Sequence, residues 1–139
     1  MIENGNTRNV LKLVDDWLEI AYTDIEVAQL CYQNSYYLYM AFLCQQSIEK
    51  AIKAVIESSN VPPKPIHNLE LLAREANIWD MLDEKQKDFL LRLRNFAVAA
   101  RYPRYKEKMN KSLSRTTAQK ILSGSKEMLL WLCRYLRKA

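Results

Sequence analysis

Arg94 and Arg101 stand seven residues apart in the segment Arg94-Asn95-Phe96-Ala97-Val98-Ala99-Ala100-Arg101-Tyr102-Pro103. On a helix that spacing puts both on one face, two turns from each other. Each guanidinium is permanently charged and presents a planar fork of donors that matches carboxylate or phosphate oxygens. Tyr102, Arg104 and Tyr105 follow closely, so cationic and aromatic side chains gather where Pro103 stops the helix. Aromatic rings can stack bases while arginines hold phosphates. The same arginines can also pair with Asp or Glu while Tyr102 packs under the loop. A helix C-terminus is the negative end of its dipole, so an anion site here has to be carried by the guanidinium contacts.

His67 is the sole histidine. One imidazole cannot build a multi-histidine metal site, and no cysteine or acidic residue sits at ligand spacing beside it. The expectation is therefore no metal and no cofactor. At the start of a helix His67 can hydrogen-bond a loop carbonyl or take part in proton transfer. Gln45, Gln46, Glu49, Lys50 and Lys53 occupy the middle of the next candidate helix, with Glu49 and Lys53 four apart in the favourable order. Buried polar groups must find partners. The cluster is either an internal hydrogen-bond network or a polar cleft in which Lys50 or Lys53 meets a phosphate. There is no Ser-His-Asp or Cys-His set and no phosphate-cradling glycine loop.

The elements that must position these residues read as helices. A chain of 139 residues is the size of one domain with a real core, and its 49% hydrophobic content argues against disorder. With only Gly5 and Gly124, and four prolines in two places, it lacks the punctuation of many short strands. The net charge of +5 fits an anionic partner without requiring one. Cys31, Cys44 and Cys133 lie in apolar helical patterns with no paired spacing, which fits a reducing cytoplasm. The polar stretch Ile2 to Asn9 has no signal-like apolar region, and no apolar run reaches the roughly 18 residues of a membrane span.

The first helix is expected from about Arg8 to Gln33, with Leu11, Val14, Leu18, Ala21, Ile25, Ala28 and Tyr32 facing the core. Leu13, Trp17, Ile20, Val27 and Cys31 form a second stripe that needs something further to pack against, and a second subunit would serve. Asn34-Ser35 is the turn and N-cap of helix two, Tyr36 to Ser58. The first half of that helix, apolar all round to Cys44, is expected to be its most buried part. A proline-stiffened connector, Asn60 to Pro65, leads to a short helix opened by His67-Asn68. Asp83 and Gln86 make a capping box for a fourth helix whose stripe runs from Phe89 to Ala100. Arg104 to Lys108 reads as a charged loop, and Ser112 or Ser114 caps a last helix lined by Ala118, Leu122, Ser125, Leu129 and Leu132. The fold class expected is all-α: an up-down bundle of about five helices, two long, two short and one long closing helix. It spans residues 8–138, with residues 1–7 as a flexible N-terminus.

Asp24 and Ala28 on helix one, Tyr37…Ala41-Phe42-x-x-Gln45-Gln46-Ser47-x-Glu49-Lys50-Ala51-x-Lys53-Ala54 on helix two, His67-Asn68-Leu69 after the proline-rich turn, and Arg101-Tyr102-Pro103 resemble the HEPN domain (higher eukaryotes and prokaryotes nucleotide-binding). The resemblance covers Trp17 to Leu136. It implies a helical bundle that dimerises, often beside a minimal nucleotidyltransferase in a toxin–antitoxin pair. Many such domains are metal-independent ribonucleases whose signature is an arginine, a polar residue and a histidine four to six residues on. Arg94-Asn95 match the beginning of that signature. Ala99, Ala100 and Arg101 stand where the histidine belongs, and none of them transfers a proton at neutral pH.

The resulting expectation is a cytoplasmic homodimer, with no membrane attachment, that binds a nucleotide or RNA through Arg94, Asn95, Arg101, Tyr102, Lys50 and Lys53, as partner of a nucleotidyltransferase. Arg94 and His67 are the candidate catalytic residues of the alternative, an RNA-cleaving toxin with an atypical site. A non-catalytic dimeric scaffold is the third reading.

Overall fold

The computed structural model describes residues 8–138, so the expectation of a flexible segment at 1–7 lies outside the described residues. All regular structure among the described residues is helical: α1 (Val10–Gln33), α2 (Tyr37–Ser58), α3 (Leu69–Glu75), a 3-10 turn (Trp79–Met81), α4 (Glu84–Leu93), α5 (Phe96–Ala99), α6 (Pro103–Ser112) and α7 (Arg115–Lys138). This is the expected all-α bundle, with two long helices first and a long closing helix last. α2 lies at its centre and touches each of the other six helices.

α1 starts where the Asn9 side chain accepts a hydrogen bond from the Lys12 backbone N–H at 3.2 Å. Its inner stripe narrows to Ala21, Ile25 and Ala28, and the two alanines let α1 lie close to α2. The Ser47 hydroxyl of α2 donates to the Ala21 carbonyl at 2.7 Å across that contact. Leu11, expected inward, is 80% exposed, because the first turn of α1 extends beyond the core.

Helix two departs from its expected burial. Tyr36 and Tyr39 are exposed, whereas nearly every residue from Ser47 to Glu57 is buried. The second half is the more deeply enclosed because its polar residues are neutralised internally. Ser35 is not an N-cap: it takes a left-handed backbone conformation (φ 65°), and Tyr36 precedes the helix without a side-chain cap.

Asn68 caps α3 through hydrogen bonds from Glu70 and Leu71 N–H, and the Asp83–Gln86 capping box is present on α4. The expected continuous fourth helix is broken. α4 ends at Leu93, and hydrogen bonds from Asn95 N–H to the Arg92 carbonyl and from Ala97 N–H to the Arg94 carbonyl close three-residue turns where α4 gives way to α5. The expected charged loop is a helix, α6, with Pro103 in its first turn, where a missing N–H costs nothing. Ser114, one of the two expected caps, accepts from Thr117 N–H at the start of α7. α7 passes close to α4 at Gly124, where a Cβ would fall 2.5 Å from the Phe89 ring.

Candidate functional site

Gln45, Glu49, Lys53 and Glu57 recur every fourth residue along α2, so they form one face of it. That face is buried. Glu49, 1% exposed, is the acceptor at its centre. Lys53 Nζ donates to Glu49 Oε2 at 3.1 Å, and Lys50 Nζ lies 3.6 Å from the same oxygen. Gln45 Nε2 donates to Glu49 Oε1 at 3.2 Å and to the His67 carbonyl at 3.1 Å. Lys50 in turn donates to Gln46, and Gln46 to Gln45. Below, Glu57 pairs with Arg8 and accepts from Trp17 Nε1 at 3.2 Å, while Lys53 lies over the Trp17 ring. Burial pushes Glu49 toward its protonated form. Hydrogen bonds from His67, Lys53 and Gln45 and the charge of Lys50 outweigh that and hold its carboxyl below the ordinary glutamate range. Asp24, from α1, faces the same cluster, and burial raises its carboxyl against the pull of Lys50.

His67 ties this network to the surface. Its Nδ1 lies 3.0 Å from Glu49 Oε2, yet its side chain is 56% exposed. His67 lines a cleft of about 490 Å³ shared with Asn68, Arg94, Asn95, Val98, Tyr105 and Lys108. Three pieces of chain meet there: the loop before α3, the break between α4 and α5, and one face of α6. Arg94 Nη1 donates to Glu70 Oε1 at 3.0 Å, and Arg74 grips the other oxygen of that carboxylate. Arg74, and behind it Arg94, hold the Glu70 carboxyl below its ordinary value. Glu70 thus fixes where the Arg94 guanidinium sits without covering it: the arginine side chain stays 36% exposed.

The sequence candidates are therefore divided between places. Arg94, Asn95 and His67 share the cleft. Lys50 and Lys53 face Glu49 instead. Arg101 stacks over the Phe42 ring, 5.1 Å from its centre, and so engages α2 rather than sharing a stripe with Arg94. Tyr102 is exposed just before α6. Pro103 opens α6, so the positive end of the α6 dipole lies close to the C-terminal end of the short α5, where the expectation had a negative end alone. Lys108, read from the sequence as the end of a charged loop, was not among the site candidates. The available signal was Pro103 as a first-turn residue, which puts Tyr105, Lys108 and Met109 on one helical face.

Two kinds of chemistry find no support in this geometry. Burial pushes the Cys44 thiol up to about 12, well away from thiolate reactivity. Among the described residues no group of three or more His, Cys, Asp or Glu side chains is placed to hold a metal ion. No described helix is long and apolar enough to cross a membrane.

Among solved structures, the chain is similar to the crystal structure of an archaeal HEPN homologue. The TM-score is 0.68 at 23% identity, over 88% of this chain and 97% of that one, a likeness of fold. No curated protein matches in sequence. The HEPN domain model matches residues 14–136, which takes in α2, the His67 loop, the Arg94 break and most of α1 and α7, and the chain belongs to the HEPN family.

Proposed function

We propose that this protein binds a nucleotide or RNA through phosphate contacts in the cleft between the His67 loop, the Arg94–Asn95 break and α6. The observation that carries the reading is the convergence of Arg94, Lys108, Asn68, Asn95, Tyr105 and His67 around that cleft. Two permanent cations supply charge, two amides supply directional bonds, and the Tyr105 ring, half-exposed, is a surface on which a base can stack. Arg101 and Tyr102 extend the basic and aromatic surface for a longer RNA, and Lys50 and Lys53 contribute only through Glu49. The test is fluorescence anisotropy with a labelled RNA. Affinity should fall as salt rises, because each neutralised phosphate releases counterions, and Arg94→Ala and Lys108→Ala should each flatten that salt dependence. Binding that ignores salt and both substitutions would overturn the reading.

The protein acts as a cytoplasmic homodimer beside a minimal nucleotidyltransferase, in a toxin–antitoxin pair. Support for the dimer is the apolar row Ile20, Val27 and Leu30, exposed along α1. Trp17, expected on that row, turns inward to Glu57. Sedimentation at micromolar concentration should give twice the chain mass, and a neighbouring gene for a short nucleotidyltransferase would support the pairing.

A second reading, metal-independent RNA cleavage, has one observation in its favour. The cleft contains an imidazole beside Arg94 and Asn95 although the family's histidine position is vacant. Cleavage of a structured messenger RNA that disappears in His67→Ala would favour this reading over binding alone.

A further inference from the structure

We infer that Arg74, which stands outside the cleft, decides how much of Arg94 a phosphate can reach, because the two arginines share one carboxylate, Glu70. Arg74 is a positioning residue: it touches no ligand and acts through Glu70. The inference rests on the binding reading above and names the control on that site's central cation.

The geometry divides Glu70 between two partners. Arg74 Nε and Nη2 donate to Oε2 at 3.0 and 2.9 Å, and Arg94 Nη1 donates to Oε1 at 3.0 Å. One carboxylate thus faces two guanidinium groups, and the triad keeps a net positive charge. Arg74 lies four residues after Glu70 on α3, the spacing of facing side chains on adjacent turns. Its guanidinium carbon is 5.1 Å from the centre of the Trp79 ring, and Trp79 is buried. That stacking gives Arg74 a fixed seat. Neither Arg74 nor Glu70 lines the cleft. Arg74 lines a separate pocket with Lys64, Leu71 and Asn77.

A carboxylate with both oxygens free takes a guanidinium fork on fork, through two parallel N–H bonds. Glu70 has one oxygen left for Arg94, since Arg74 holds the other. Arg94 is therefore anchored through a single nitrogen, and among the described residues its other donors have no partner. Without the Arg74 charge, Glu70 turns both oxygens to Arg94. That pair is electrically neutral and its fork is filled, so a phosphate has to break it in order to bind. Sharing keeps Arg94 held in place and still able to take an anion in the cleft that it lines.

The experiment has two arms. The first needs no ligand. It is a crystal structure of Arg74→Met, whose unbranched apolar side chain keeps the Trp79 ring covered while the charge is removed. Both Glu70 oxygens should lie within hydrogen-bond distance of Arg94. A Glu70 that keeps a single oxygen on Arg94, or that leaves it for solvent, overturns the inference.

The second arm follows binding of an oligoadenylate of about ten residues by anisotropy across a salt series, with urea midpoints checking that each variant is folded. Arg74→Met should bind about threefold to tenfold more weakly than wild type, the worth of one net hydrogen bond. Its salt dependence should also flatten, because Arg94 is withdrawn from phosphate. Glu70→Gln should bind at least as tightly as wild type, since an amide carries no charge to compete with the ligand. Adding Arg74→Met to Glu70→Gln should then cost less than about twofold, the scatter of independent sites. An unchanged Arg74→Met overturns the inference and leaves the binding reading standing. So does an equal loss with and without Glu70→Gln, which would place Arg74 on the RNA itself, and so does weaker binding by Glu70→Gln alone. Failure of wild type to bind at low salt overturns the binding reading and the inference with it.

Discussion

Glu49 and Arg94 are both ionised side chains held by partners of opposite charge, yet they sit in different kinds of place. Glu49 is enclosed, and its partners lie on its own helix or in the next loop. Arg94 stands at a helix break, is held by a carboxylate from another helix and keeps a third of its side chain open to a cleft. The first arrangement saturates its donors and acceptors internally and leaves nothing for a ligand. The second fixes a cation in position while leaving its outer edge free. Buried pairing makes a charge structural, and half-exposed pairing makes it available. His67 takes part in both: its Nδ1 meets Glu49, and the residue also lines the cleft.

Removing the enclosed charge should have the largest effect. Glu49→Ala leaves Lys53, itself only 7% exposed, without its carboxylate. A loss of about 3–5 kcal/mol in urea unfolding is expected. The double variant Glu49→Ala/Lys53→Met should recover part of it, since an apolar pair of similar volume does not strand a charge. A small loss in the single variant would collapse the contrast by showing that the face is solvated.

Arg94→Ala should do the opposite. RNA affinity should drop by about tenfold to a hundredfold, the range for losing a charge-assisted contact, while the unfolding midpoint barely moves. Equal damage to stability would place Arg94 with Glu49 after all.

Acid should sharpen the same line. Glu49 has a native pKa below its unfolded one. Its contribution is therefore complete above the ordinary glutamate value of about 4.3 and is lost as pH falls through the lowered native value. In Glu49→Gln the stability curve should be flatter in that acid window and parallel to wild type near neutrality. The smallest effect belongs to Arg101→Ala, which removes an exposed cation over Phe42. About 0.5–1 kcal/mol of stability is expected to go, with RNA affinity changing less than in Arg94→Ala.

The long helices were legible in the sequence because an apolar side recurs every three or four residues in α1 and α7, and the Asp83–Gln86 box announced α4 through local chemistry alone. The Glu49 cluster was visible as a group for the same reason: its spacing is that of one helix. Its burial was not, because periodicity scores Glu and Lys as polar and cannot see that they neutralise each other. α6 was missed for a related reason. None of its residues is buried, so it has no apolar stripe to read. The cleft was the least legible part. Arg94, Asn95 and His67 were each singled out, but not as neighbours: His67 lies some 27 residues before Arg94 and the α6 residues some 13 after it, and only packing brings them together.

The central position of α2 also sets how the molecule opens. A helix that contacts all the others cannot lose its partners one at a time, so its amide protons should exchange with solvent only when the whole bundle unfolds. α6, with no buried residue and a weaker hold on the rest, should exchange by local opening far sooner. The rigid half of the cleft, His67 anchored to α2, would then meet a half that breathes, and bound RNA would register first as slowed deuterium uptake along Tyr105 to Met109.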